Sequence, residues 1–304
     1  MSRVLVTGAT GMIGRSVVRA LRARGDRVVA LTRDPGRAGL GDGVEVHPWP
    51  DPTAAPPPAQ ALAGLYGVVH LLGEPIAQRW TPSAKRAIHD SRVLGTRRLV
   101  QGLQALPDGE RPAVLVSQSA TGYYGPRGEQ RIDETAGGGG DFLAHVVAGW
   151  EREALTARDL LRVVTTRTGV VLAAGGGALA MMLPFFRLGV GGPVAGGSQY
   201  VPWIHLDDVV GGQLKCLDDP QLEGPVNLTA PEPATNRDFS RALGRALRRP
   251  AMLPVPARAL ALLYGEMATV VTTGQRAVPA RLSAAGHTFA WPVLEPALRE
   301  LLSS

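Results

Sequence analysis

The chain carries one cysteine, Cys216, and two lysines, Lys85 and Lys215, among 304 residues. A lone cysteine excludes a disulfide framework and a cysteine-built metal site, and it points to a reducing compartment, read here as the cytoplasm. No metal is expected. No apolar run approaches the roughly 20 residues that a spanning helix needs, and a core strand stands where a secretory leader would be, so a soluble protein without a membrane partner is expected. The scarcity of lysine leaves arginine to carry nearly all of the positive charge behind a formal net of +6. Those arginines lie beside Asp and Glu in several helical stretches, such as Arg19, Arg22 and Arg24 or Arg241, Arg245 and Arg248. That dispersal argues against the concentrated basic element of a nucleic-acid reader.

What the chain does have is VLVTGATGMIGRSVVRAL, residues 4 to 21. A β-branched apolar run meets a turn with Gly8, Gly11 and Gly14 at three-residue spacing, and apolar residues then recur at helical intervals. Gly8 permits the sharp exit from the strand, Gly11 lets backbone approach a pyrophosphate, and Gly14 lets the helix pack on the sheet. Helix N–H groups and the positive end of the helix dipole then face the phosphates. Gly8, Thr10, Gly11, Met12, Ile13 and Gly14 are the expected pyrophosphate-binding set.

A second strand over Arg27 to Leu31 ends in Thr32-Arg33-Asp34, where such a fold meets the adenosine ribose. Arg33 suits the 2′-phosphate of NADP, while Asp34 beside it suits the 2′-hydroxyl of NAD; the arginine tips the reading to NADP. Val44 to His47 forms a third strand, and a proline-rich surface loop follows it. The continuous apolar run Gly67 to Leu72 reads as a buried parallel strand ending at Gly73, where backbone can lie against a cofactor. Pro82 starts a helix to about Leu106 that carries Arg92. Ala113 to Ser117 makes a fifth strand and runs into Ser119, Tyr123 and Tyr124, hydroxyl groups at the carboxyl end of a central strand and so beside the ligand crevice. Asp141 caps the next helix, and Arg162 to Leu172 makes one further strand. Right-handed crossovers then give an α/β, doubly wound parallel sheet.

Beyond about Gly175 the composition shifts to Gly, Pro and Met, which reads as a lobe over the crevice with Met181, Met182, Phe185 and Phe186 as walls or as core. In YVPWIHLDDVV, Asp207 or Asp208 is expected to cap a helix, as is Asn236 further on. The expected division is 1–172 for the dinucleotide domain, with contributions from about 200–230, and 173–304 for the substrate lobe.

Taken in order, TGATGMIG, HLLGEPI, SRVLGTRRLV, SATGYYG, RTGVVLAAGGG, WIHLDDVV and GPVNLTAPEPATN resemble the extended short-chain dehydrogenase/reductase superfamily. The chain is most similar to its atypical "epimerase family" branch, which includes the YfcH-like proteins with a small C-terminal domain of unknown function, placed here at about 250–300. The resemblance implies a Rossmann domain that binds NADP, with Thr32, Arg33, Leu71, Leu72, Arg92 and Val170 as cofactor contacts. Gly73 and Ser117 join them from the strand ends. A small-molecule substrate and a homodimer are the expected partners.

One departure bears on mechanism. Ordinary members of this superfamily use a Tyr-x-x-x-Lys pair, whose ammonium lowers the phenol pKa for proton exchange during hydride transfer. Here the residues four after Tyr66, Tyr123, Tyr124, Tyr200 and Tyr264 are His70, Arg127, Gly128, Ile204 and Ala268. Judged from the downstream Glu151, the pair's positions hold Leu143 and Val147. The expected chemistry is an oxidoreductase or epimerase-like reaction on a small carbonyl or sugar-like substrate, with Ser119 polarising the carbonyl and Tyr123 or Tyr124 supplying the proton. The competing reading is a regulatory NADP(H)-binding protein without catalysis.

Overall fold

Seven parallel strands form the centre of the protein in a computed structural model that describes residues 1–303. They are β1 (Arg3–Thr7), β2 (Arg27–Thr32), β3 (Val44–Pro48), β4 (Gly67–His70), β5 (Val114–Ala120), β6 (Arg162–Thr168) and β7 (Gly224–Leu228). Their order across the sheet is β7-β6-β5-β4-β1-β2-β3. The chain reverses direction of growth between β1 and β4, so the ligand crevice of this doubly wound sheet opens at the carboxyl ends of those two strands. One face is covered by the helices Met12–Ala23 and Leu206–Asp218, the other by Pro82–Gln104 and Phe142–Leu155. Both faces are therefore apolar. The central strands accordingly carry apolar runs such as Val4–Val6, Val28–Leu31 and Val114–Val116.

The run expected as one strand over Arg162 to Leu172 divides at Gly169. A Cβ there would lie 1.9 Å from the Pro202 carbonyl oxygen. Residues before it pair with β5 and β7, while Val170–Ala173 leaves the sheet to pair with Trp203–His205. The second pairing carries the chain into a C-terminal lobe whose core includes Leu179, Phe186, Trp203, Phe239 and Leu298. Of the four expected wall residues, Phe186 is core and Met182 packs on it, whereas Met181 and Phe185 point outward to solvent.

Two expected caps are corrected. Thr235, not Asn236, accepts the Asp238 N–H at the start of helix Asn236–Leu247, because the Asn236 side chain is spent on the Val194 N–H. At helix Leu206–Asp218 the cap is His205, whose Nδ1 accepts the Asp207 N–H. Asp208 instead accepts from the backbone of Ala290 and Trp291, tying the tail of the chain to this helix.

Candidate functional site

The glycine turn meets the demands of a phosphate cradle position by position. Gly8 adopts φ +62°, and a Cβ on it would strike the Leu71 carbonyl at 2.6 Å, so β1 leaves the sheet hard against the end of β4. Gly14 touches the same turn: its Cβ would lie 2.2 Å from the Gly8 oxygen. Gly11 differs, because it is exposed and only the Gly8 oxygen stands near its Cβ position. It is the N-cap of helix Met12–Ala23, and neither a capping side chain nor an acidic residue occupies that helix's first turn. The unsatisfied N–H groups of an uncapped helix start attract an anion.

Arg33 stands exposed at the end of β2, with no hydrogen bond or ion pair among the described residues. Asp34, by contrast, is committed: its Oδ1 accepts the Gly36 N–H at 3.1 Å and its Oδ2 lies 3.5 Å from Arg37 Nε. Thr32 is half-buried, and its hydroxyl accepts the Asp34 N–H. Sequence reasoning missed Arg15, which braces this region. Its guanidinium donates to the carbonyls of Thr10, Ala38 and Gly39 at 2.7 to 3.0 Å, joining the glycine turn to the loop beyond Arg33.

Across the crevice, Leu71 and Leu72 are half-buried and Gly73 is exposed. Arg92 donates to the Glu74 carbonyl at 2.9 Å and lies over the Trp150 ring, with a Gly73 Cβ position only 3.1 Å from its guanidinium carbon. Burial lowers its pKa to about 10 against the opposing field of Glu74. Val170 opens the strand that leaves the main sheet and is half-buried, and the Ser117 hydroxyl is buried without a partner. At the end of β4, Thr7 Oγ1 meets His70 Nδ1 at 2.7 Å, and Thr96 Oγ1 from helix Pro82–Gln104 meets His70 Nε2 at 2.9 Å. Burial pushes the His70 pKa down to about 3, so this imidazole is a neutral strut.

The residues expected to react are not gathered as reacting groups. The Ser119 hydroxyl is buried and donates to Glu151 Oε1 at 2.6 Å. Glu151 also takes Arg167 in a two-point bridge, Nε to Oε1 and Nη2 to Oε2, each at 2.8 Å. Burial works against the Arg167 charge, but the bonds and field of Glu151 outweigh it and raise the pKa above the ordinary arginine value. Arg167 Nη1 donates to the Tyr124 hydroxyl, which in turn donates to Asn227 Oδ1 at 2.7 Å. Tyr124 is fully buried, and burial pushes its phenol up to about 12 despite Arg167 and Asn227. The expectations that Ser119 polarises a carbonyl and that Tyr124 gives up a proton therefore do not fit: both hydroxyls are sealed into a polar core.

Tyr123 is half-buried, with its ring 3.6 Å beneath the Arg167 guanidinium and its phenol end near Gly138. Leu143 and Val147 face the turn after β5: a Cβ on Gly122 would lie 3.6 Å from Leu143 Cβ and 4.0 Å from Val147 Cγ2. The slot beside that turn is thus apolar. Glu151, Arg167, Glu134 and Asn227 went unread as a network, although a charged residue in the buried strand RVVTTRT demands a buried counter-charge. That demand was the available signal.

Comparison with known proteins agrees with this architecture. The NAD dependent epimerase/dehydratase family matches residues 4–228, and a domain of unknown function, DUF1731, matches residues 255–301. The epimerase family protein SDR39U1 homolog, chloroplastic, of Arabidopsis thaliana is 41% identical, covering 98% of this chain and 86% of its own. Human epimerase family protein SDR39U1 is 36% identical over 99% of this chain and 100% of its own. The crystal structure of the human protein (isoform2) with NADPH superposes with TM-score 0.89, covering 99% of each chain at 34% identity. A Thermus thermophilus UDP-glucose 4-epimerase complex with NAD shares the fold at TM-score 0.76 and 21% identity, covering 99% of this chain and 98% of its own.

Proposed function

The chain belongs to the NAD dependent epimerase/dehydratase family, and from that premise we propose that it binds NADP(H) along the carboxyl edge of its sheet and acts as an oxidoreductase or epimerase-like enzyme on a small carbonyl or sugar-like substrate. The observation that carries the cofactor is the pairing of an uncapped helix start at Gly11 with an unpaired guanidinium at Arg33. The Met12 and Ile13 N–H groups hold the pyrophosphate, and Arg33 pairs with the 2′-phosphate while Asp34 stays bound to its own turn. Thr32, Leu71, Leu72, Gly73, Ser117 and Val170 border the remaining length of the cofactor, and Arg92 supports the backbone at Gly73 and Glu74. The human relative crystallised with NADPH supports the same choice.

Bound NADP(H) supplies or accepts a hydride. With Ser119 and Tyr124 withdrawn into the core, Tyr123 is the phenol near the end of β5 that retains solvent contact, and it is assigned the proton. A second reading, a regulatory NADP(H)-binding protein, is favoured by the apolar Leu143 and Val147 beside the Gly122 turn. Calorimetric titration with NADPH and NADH tests binding; equal affinities would remove the assignment of Arg33. Loss of nicotinamide absorbance with a panel of carbonyl compounds tests turnover, and NADPH binding without any oxidation leaves the regulatory reading standing.

A further inference from the structure

The C-terminal lobe presents apolar side chains to water close to a cleft lined by arginines. Segments 186–195 and 250–255 run side by side: the Val255 N–H donates to Pro193 O at 2.8 Å and the Ala195 N–H to Val255 O at 3.0 Å. Leu188 on one strip is 77% exposed and Met252 on the other 83%. The helix Ala257–Tyr264 leaves directly from the second strip, and none of its residues is buried; Leu262 is 79% exposed, with Leu263 beside it. These are large aliphatic groups displayed outward.

The sequence around these segments is poor in acidic residues. Between Asp159 and Asp207, and again between Asp238 and Glu266, the chain has no acidic residue. The second interval contains Arg241, Arg245, Arg248, Arg249 and Arg258. Four of these arginines border an open cleft of about 290 Å³ whose rim includes Met252. Two of them have acidic neighbours from outside the interval: Arg245 pairs with Glu295, and Arg241 lies 4.0 Å from Asp238. Arg248 and Arg249 have no ion-pair partner among the described residues.

We propose that this face docks peripherally on an anionic phospholipid bilayer, with headgroup phosphates in the arginine cleft and Leu188, Met252, Leu262 and Leu263 in the acyl boundary. Apolar groups beside a rim on which Arg248 and Arg249 stay unpaired match the two attractions that hold interfacial proteins to anionic membranes. Protein interfaces concentrate aromatic anchors in closely packed pockets, whereas Leu188, Met252, Leu262 and Leu263 are aliphatic and more than half exposed. Pro250, Pro254 and Pro256 remove N–H donors from the outer strip, so it is ill suited to extend a partner's sheet. No described helix is long and apolar enough to cross a membrane. The expectation of no membrane partner concerned spanning, and the proposal departs from it only in surface contact.

The test is flotation of the full chain with vesicles of phosphatidylcholine, with and without about one-third phosphatidylglycerol, at rising salt. The protein is expected to float with the anionic vesicles only, and to be released by salt. Arg248→Glu with Arg249→Glu should lower partitioning more than tenfold, since each basic residue at a membrane surface contributes about fivefold. Leu262→Ser with Leu263→Ser should lower it about tenfold or more. The second pair lies on a helix with no buried residue, so the fold and the NADPH titration should be unaltered. Absence of flotation, flotation with neutral vesicles alone, or flotation indifferent to both pairs overturns the proposal. So does light scattering that shows a dimer dissolved by the leucine changes in a protein that ignores vesicles, which would assign the face to a second copy of the chain.

Discussion

The Ser119 hydroxyl donates a hydrogen bond to Glu151 at 2.6 Å, and the same carboxylate is held at two points by Arg167. This joins the last turn of β5 to helix Phe142–Leu155 and to β6 through charged groups that water hardly reaches. Breaking one side of a buried ion pair strands the other charge, which costs about 3–5 kcal/mol, whereas removing both charges costs far less. Arg167→Met is therefore expected to lower unfolding free energy by about that amount, and adding Glu151→Leu to recover a substantial part of it. Denaturant unfolding of the two singles and the double checks this; additive losses would mean that the bridge is not the coupled unit.

Ser119→Ala removes one donor from a carboxylate that keeps both arginine bonds, so a loss of about 1–3 kcal/mol in stability is expected with NADPH affinity unchanged. A large fall in NADPH affinity at intact stability would return Ser119 to the crevice.

His70 gives a pH dependence with a definite sign. Its pKa is about 3 in the fold and about 6.5 in an unfolded chain, so below about pH 6.5 the unfolded state binds a proton that the native state refuses. Its contribution to stability is complete above that pH and is lost progressively as pH falls towards 3. His70→Asn should lower stability at neutral pH, through the lost bonds to Thr7 and Thr96, yet flatten the decline in melting temperature on acidification. Parallel curves for the variant and the natural protein would exclude His70 as the titrating group.

The proposed cofactor choice turns on Arg33. If Arg33 pairs with the 2′-phosphate, a charge-assisted bond of this kind contributes roughly 1.5–3 kcal/mol, so Arg33→Ala should weaken NADPH by about tenfold to a hundredfold and leave NADH nearly unchanged. If the pyrophosphate lies at Gly11, Gly11→Val should weaken both cofactors while the fold persists, because the only protein atom near its Cβ position is the Gly8 oxygen. Calorimetry on the two variants separates the two effects.

The sheet and the cofactor turn were legible because local chemistry dictates them: continuous Val and Leu runs, glycines at the turn and Pro82 opening a long helix all act within a few residues. The break at Gly169 was not, since its cause is the Pro202 carbonyl, which lies far along the sequence. The caps at His205 and Thr235 were misassigned because the competing Asp208 and Asn236 side chains are drawn off by Ala290, Trp291 and Val194. Ser119 and Tyr124 were placed beside the crevice by strand position alone. What position could not show is that Glu151, Arg167 and Asn227 reach both hydroxyls first.

The adjacent tyrosines allow the proton assignment to be tested against their different surroundings. Tyr124→Phe leaves Asn227 Oδ1 and Arg167 Nη1 without the hydroxyl they share, a loss of about 1–3 kcal/mol for buried polar groups. It should therefore lower stability while NADPH binding and any turnover persist in the folded fraction. There is an alkaline counterpart. Because the Tyr124 phenol sits at about 12 in the fold and about 10 unfolded, its contribution is present below pH 10 and is lost as pH rises towards 12. Tyr123→Phe removes a hydroxyl that has no partner among the described residues and keeps the ring beneath Arg167, so stability should hardly change. If Tyr123 supplies the proton, that variant alone should abolish NADPH oxidation while the cofactor still binds. Full turnover in Tyr123→Phe would remove Tyr123 from the mechanism, and the substrate proton would then have to come from water or from another group.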